Sequence, residues 1–81
     1  MQKEIILKST VGLHAKIASK LVQLATKYSV DVKLYYNNQT VDAKSILGLM
    51  SLAIPSGENI KLVANGEQAD IAIDEIVKLL G

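Results

Sequence analysis

The sequence contains no cysteine, arginine, phenylalanine or tryptophan, and only one proline and one histidine among its 81 residues. Without cysteine there is no disulfide framework and no thiolate chemistry. Without arginine no planar guanidinium can grip phosphate or a guanine edge at two points, and without Phe or Trp few rings can stack on bases. Nucleic acid is therefore excluded as a partner. No apolar run reaches membrane length and no signal-like segment opens the chain, which points to the cytoplasm and away from membrane insertion. One histidine with no metal-ligand cluster and no paired carboxylates beside it argues against a metal site, a cofactor and a free-standing enzyme.

What is present fits an ordinary globular protein: 49% of residues are apolar and 21% charged. A chain this short holds one core, so residues 1–81 are expected to form a single domain. The net charge is only +1, but it is unevenly spread. Residues 1–36 carry Lys3, Lys8, Lys16, Lys20, Lys27 and Lys33 against Glu4 and Asp31, a net +4. The remainder sets Lys44, Lys61 and Lys78 against Asp42, Glu58, Glu67, Asp70, Asp74 and Glu75, a net −3. An acidic partner is thus drawn to the first half.

Hydrophobic periodicity gives the element order. Residues 2–8, with Ile5, Ile6 and Leu7, read as a strand ended by a Ser9, Thr10, Gly12 turn cluster. From Ala15 to Tyr28, the residues Ala18, Leu21, Val22, Ala25 and Tyr28 recur at helical spacing, with Lys16, Lys20, Gln23 and Lys27 opposite. Strict alternation over 30–36 predicts a half-buried strand, and Asn37-Asn38 a two-residue hairpin loop into a return strand over 39–43. That loop pairs Tyr36 with Gln39, Leu34 with Val41 and Val32 with Ala43, which puts the apolar sets on one face. Ser45 can cap a short helix from Ile46 to Leu52, halted before Pro55. A fourth strand around Ile60, Leu62 and Ala64 and a helix marked by Ala72, Ile73, Ile76 and Leu80 complete the chain. The expected fold is α+β with βαββαβα order: an open-faced sandwich of a four-stranded antiparallel sheet with three helices on one face.

His14 lies between Gly12-Leu13 and the first helix, where orphan N–H groups and the positive dipole end favour an anion such as a phosphoryl group. A lone histidine can also simply flank a helix. Here, however, residues 14–28 contain no acid, although first turns usually collect Asp or Glu. Lys16 is unfavourable against the dipole unless something negative binds beside it. Lys20 and Lys27 extend its stripe, a pattern that a solvated face would also show. The short helix after Lys44 is apolar nearly all round, so some of Ile46, Leu47 and Met50 should stay exposed as a docking patch. Ser45 reads first as a helix cap, and a phosphate there would meet the dipole favourably beside that patch.

Through Gly12-Leu13-His14-Ala15 and Lys44-Ser45-Ile46-Leu47-Gly48-Leu49-Met50-Ser51-Leu52, the sequence resembles the HPr family, the histidine-containing phosphocarriers of the bacterial sugar phosphotransferase system. The likeness extends to the element order, the hairpin and the Asn65-Gly66-Glu67 turn. It implies that His14 takes phosphate through Nδ1 from enzyme I, itself charged by phosphoenolpyruvate, and passes it to sugar-specific enzyme IIA domains. It also implies phosphorylation of Ser45, as in many Gram-positive members, by an HPr kinase/phosphorylase, which makes the protein a corepressor for a catabolite control repressor. On this reading Lys16 clamps the phosphate, the Ala15 and Ile17 N–H groups bind it, and Lys20, Ile46, Leu47 and Met50 dock partners. The family continues Gly-Leu-His-Ala with Arg-Pro, where this chain has Lys16-Ile17. Lysine keeps the charge and loses the fork, while Ile17 loses a preset φ and gains an N–H donor.

Two other readings stay open. A regulatory paralogue would resemble HPr but act mainly through phospho-Ser45. A ligand-sensing ACT-type module would share strand and helix order through its first four strands, dimerise, and give His14 and Ser45 no role. The carrier reading expects a monomer that needs partners to do chemistry.

Overall fold

The structure, a computed structural model, describes residues 1–8 and 12–81, so the Ser9 and Thr10 part of the expected turn cluster lies outside the described residues. Seven elements follow in the expected order: β1 (Gln2–Ile6), α1 (Ala15–Lys27), β2 (Asp31–Tyr36), β3 (Gln39–Asp42), α2 (Ile46–Leu52), β4 (Asn59–Asn65) and α3 (Ala69–Leu80). The strands form one antiparallel sheet in the order β1-β4-β2-β3.

The hairpin forms as its sequence dictates. Asn37 and Asn38 both take positive φ, 51° and 67°, the backbone that matches strand twist in a two-residue loop. Tyr36 then faces Gln39 and Leu34 faces Val41, while the Ala43 N–H donates to the Val32 carbonyl at 2.8 Å. Val32 and Leu34 from β2, with Ile60, Leu62 and Ala64 from β4, are buried on one face. Leu21 and Ala25 of α1, Leu49 of α2, and Ala72, Ile73, Ile76 and Leu80 of α3 join the same cluster, so the helices share that face. The other face of the sheet stays open, with Asp31 and Tyr35 exposed. No polar side chain is buried in the core among the described residues.

Several boundaries differ from the sequence reading: α1 ends at Lys27 and not Tyr28, β2 begins at Asp31 and not residue 30, β3 ends at Asp42 and not residue 43, and β1 ends at Ile6 and not residue 8. The ladder of β1 becomes irregular after Ile6: Leu7, buried on the same face as Ile5, donates its N–H to Glu58 O at 2.9 Å, but its carbonyl accepts from Gly57 N–H at 2.8 Å and not from Glu58. Lys8 N–H then donates to Leu80 O at 2.8 Å, tying the strand exit to the end of α3. α3 begins at Ala69, ahead of the first apolar marker used for it, because its N-cap Gln68 makes no side-chain cap bond that the sequence could announce.

Candidate functional site

The approach to α1 is tightly held. Gly12 has φ +77°, a backbone that glycine adopts without steric cost, and a Cβ at this position would lie 2.5 Å from the Ile54 carbonyl oxygen. The next N–H, of buried Leu13, donates to that same oxygen at 2.9 Å. The segment entering α1 is thus bonded to the chain leaving α2.

His14 follows as the N-cap of α1, with extended backbone (φ −109°, ψ −179°) and a half-exposed side chain. Its carbonyl accepts the first intrahelical bond from Ala18 N–H at 2.8 Å. Its Nδ1 accepts from Lys16 N–H at 3.4 Å, a length at which a hydrogen bond is weak and readily exchanged for a better acceptor. An N-cap is usually a hydroxyl or carboxylate oxygen; here an imidazole nitrogen holds the place. That nitrogen carries its lone pair towards the helix terminus. Among the described residues, no acceptor takes the Ala15 or Ile17 N–H, and the first turn holds no acidic side chain. Ala15 and Lys16 are exposed, whereas Ile17 packs partly against the core and anchors the turn.

The short helix α2 is capped by Ser45, whose Oγ accepts from Gly48 N–H at 3.0 Å. Asp42 sets up this cap. Its carboxylate accepts from Lys44 N–H at 2.9 Å and from Lys33 Nζ at 3.4 Å, and its carbonyl accepts from Ser45 N–H at 2.9 Å. The Lys44 N–H bond holds the Asp42 acid below the usual carboxylate range against the opposing cost of desolvation, with the Lys33 ammonium adding to the lowering. Leu49 is buried, but Ile46, Leu47 and Met50 are 39%, 83% and 43% exposed. The neighbouring helix therefore does not cover them, although α2 packs against both α1 and β3.

His14, Ala15, Lys16 and Ile17 are contiguous at one helix end, and Lys20 lies exposed one turn further along α1. Ser45, Ile46, Leu47 and Met50 lie on α2, joined to the first group through the Leu13–Ile54 bond. Two contributors escaped the sequence reading. The Lys16 amide, rather than only those of Ala15 and Ile17, addresses the imidazole, and the Ile54 carbonyl locks the Gly12-Leu13 approach. A glycine two places before the histidine was the one visible sign of the second.

The family described as "PTS HPr component phosphorylation site" matches residues 1–81. The phosphocarrier protein HPr of Cupriavidus necator is 36% identical over 80 residues, spanning 99% of this chain and 90% of that protein. The crystal structure of an HPr from Bacillus anthracis superposes with a TM-score of 0.95 at 33% identity, covering 100% of this chain and 96% of its own. Crh of Bacillus subtilis, a catabolite repression protein crystallised as a domain-swapped dimer, matches at TM-score 0.77 and 35% identity, covering 98% and 91%. With a matched family spanning the whole chain and a histidine presented at a helix terminus, this chain belongs to the HPr family of phosphotransferase-system phosphocarriers.

Proposed function

We propose that the protein accepts a phosphoryl group on His14 Nδ1 from enzyme I and delivers it to enzyme IIA domains in the cytoplasm, acting as a carrier and not as a free-standing enzyme. The observation that carries this reading is the direction of Nδ1, which points its lone pair at the amide of Lys16. As Nδ1 bonds to phosphorus, the bond from phosphorus to the leaving atom of the phosphorylated donor breaks, and that atom keeps the electron pair. Charge builds on the three equatorial oxygens; the N–H groups of Ala15, Lys16 and Ile17 donate to them, and the Lys16 ammonium from the same first turn supplies positive charge. The Lys16 N–H then exchanges its weak bond to nitrogen for one to a phosphate oxygen. Exposed Ile46, Leu47 and Met50, with Lys20, form the docking surface.

Lys16-Ile17 in place of Arg-Pro keeps one positive charge and adds one amide donor, so the phosphoryl group is still held but with altered transfer kinetics. Incubation with enzyme I and phosphoenolpyruvate should give acid-labile phosphate in the wild type and none in His14→Ala. A wild type that acquires no phosphate overturns the reading.

A second reading, a regulator acting through phospho-Ser45, is favoured by the exposed Ser45 hydroxyl at the edge of the apolar patch and by the likeness to a catabolite repression protein. An HPr kinase/phosphorylase and a catabolite control repressor would be its partners. Loss of repression with Ser45→Ala, while His14→Ala leaves it intact, would establish that role. Abolished sugar uptake with His14→Ala supports the carrier.

A further inference from the structure

Between α1 and α3 runs a shallow groove of about 560 Å³, lined by Lys20, Gln23, Leu24, Lys27, Glu75, Lys78 and Leu79. The positions recur at helical spacing on both walls: Lys20, Leu24 and Lys27 on α1, and Glu75, Lys78 and Leu79 on α3. Leu24 and Leu79 are partly buried against the core and form an apolar floor. The rims carry three ammonium groups and one carboxylate. Lys27 and Lys78 sit in the last turns of their helices, where the dipole favours a cation, but Lys20 lies mid-helix and has no such reason. The only ion pair among the described residues is Lys33–Asp42, so none of these three lysines has a carboxylate within ion-pair distance. The groove therefore keeps a net positive charge over an apolar strip.

From this we infer that the α1–α3 groove is a docking site for an acidic amphipathic helix of a partner protein. Such a helix would lay leucine-like residues along Leu24 and Leu79 and place its flanking carboxylates on Lys20, Lys27 and Lys78. A membrane surface fits less well. Peripheral binding to a bilayer needs protruding apolar anchors, and none of the exposed large hydrophobic residues lines the groove. Because α1 rises about 1.5 Å per residue, the far end of the groove at Lys27 lies about 20 Å from His14. The near end at Lys20 is shared with the surface proposed to receive phosphotransfer partners, so a helix seated along the whole groove competes with them for Lys20. One held towards Lys27 and Lys78 leaves the His14 turn and the exposed face of α2 free.

The test uses the whole ¹⁵N-labelled protein titrated with a synthetic capped peptide of about 18 residues, with leucine at alternate third and fourth positions and glutamate on both flanks. Saturable amide shifts are expected at Gln23, Leu24, Glu75 and Leu79, with a dissociation constant of about 1 mM or tighter. Lys20→Glu with Lys78→Glu should weaken binding about tenfold, whereas the single reversal Lys61→Glu on the open sheet face should change it less than about twofold. If the double reversal fails to fold, Lys20→Gln with Lys78→Gln serves, with a loss of about threefold or more. The proposal is overturned by an absence of saturable shifts at those four amides or by equal weakening in Lys61→Glu. It is equally overturned by shifts centred on Lys16 and Met50, or by phosphatidylglycerol vesicles, in place of the peptide, perturbing the groove.

Discussion

Replacing Lys16 by alanine should slow phosphoryl transfer to His14 about tenfold, equivalent to about 1.4 kcal/mol of transition-state stabilisation, while Lys16→Arg should match or exceed the wild-type rate. Rapid-quench measurement with enzyme I would check both. The lysine matters because it is the only positive side chain in a first turn that holds no acid. Asp42 offers a separate test through pH. Its folded-state acidity is stronger than in the unfolded chain, so the stability it contributes is present above the unfolded value, about 3.9, and lost as pH falls through the lower folded one. Wild type should therefore exceed Asp42→Asn in urea midpoint at neutral pH, and the gap should close below about pH 4. His14 and Lys16 could be singled out from the sequence because a lone imidazole before an acid-free helix start is chemically unusual. The Lys16 amide could not, since every residue has one and only coordinates show which is aimed at the ring.

Helix ends, more than helix bodies, set the site. Gly12→Ala should destabilise the protein by about 2 kcal/mol or more, because alanine resists positive φ and its Cβ would collide with the Ile54 carbonyl oxygen. It should also lower the transfer rate by displacing His14, so kinetics measured well below the melting temperature would separate the two effects. Ala53, the C-cap of α2, sits at φ 49°, a left-handed conformation that alanine tolerates poorly. Ala53→Gly should raise stability by about 0.5–1 kcal/mol, read by urea denaturation. The bounds of α2 were legible because Ser45 and Pro55 punctuate an apolar run. The start of α3 was not, since Gln68 gives no capping bond, and the end of β1 was hidden because Leu7 belongs to an unbroken apolar run although its pairing slips between Glu58 and Gly57.

The sheet alternates cleanly because β2 and β4 each bury one face, and this let the hairpin register and the placing of all helices on one side be read from sequence. Crossover order was beyond that reading: β4 inserts between β1 and β2, a long-range pairing that no local pattern encodes. Charge asymmetry between the halves of the chain becomes spatial in the fold, with Lys20 and Lys27 of α1 gathered with Lys78 along the groove between α1 and α3. Docking of an acidic partner should accordingly weaken as salt rises, while His14 chemistry with a small phosphoryl donor should respond less. The most direct test of His14 as carrier is phosphorus NMR of the protein after incubation with enzyme I and phosphoenolpyruvate. A single phosphoimidazole resonance assigned to Nδ1 is expected, and it should vanish in His14→Ala. A phosphate on Nε2, or no phosphoimidazole at all, would contradict the orientation on which the mechanism rests.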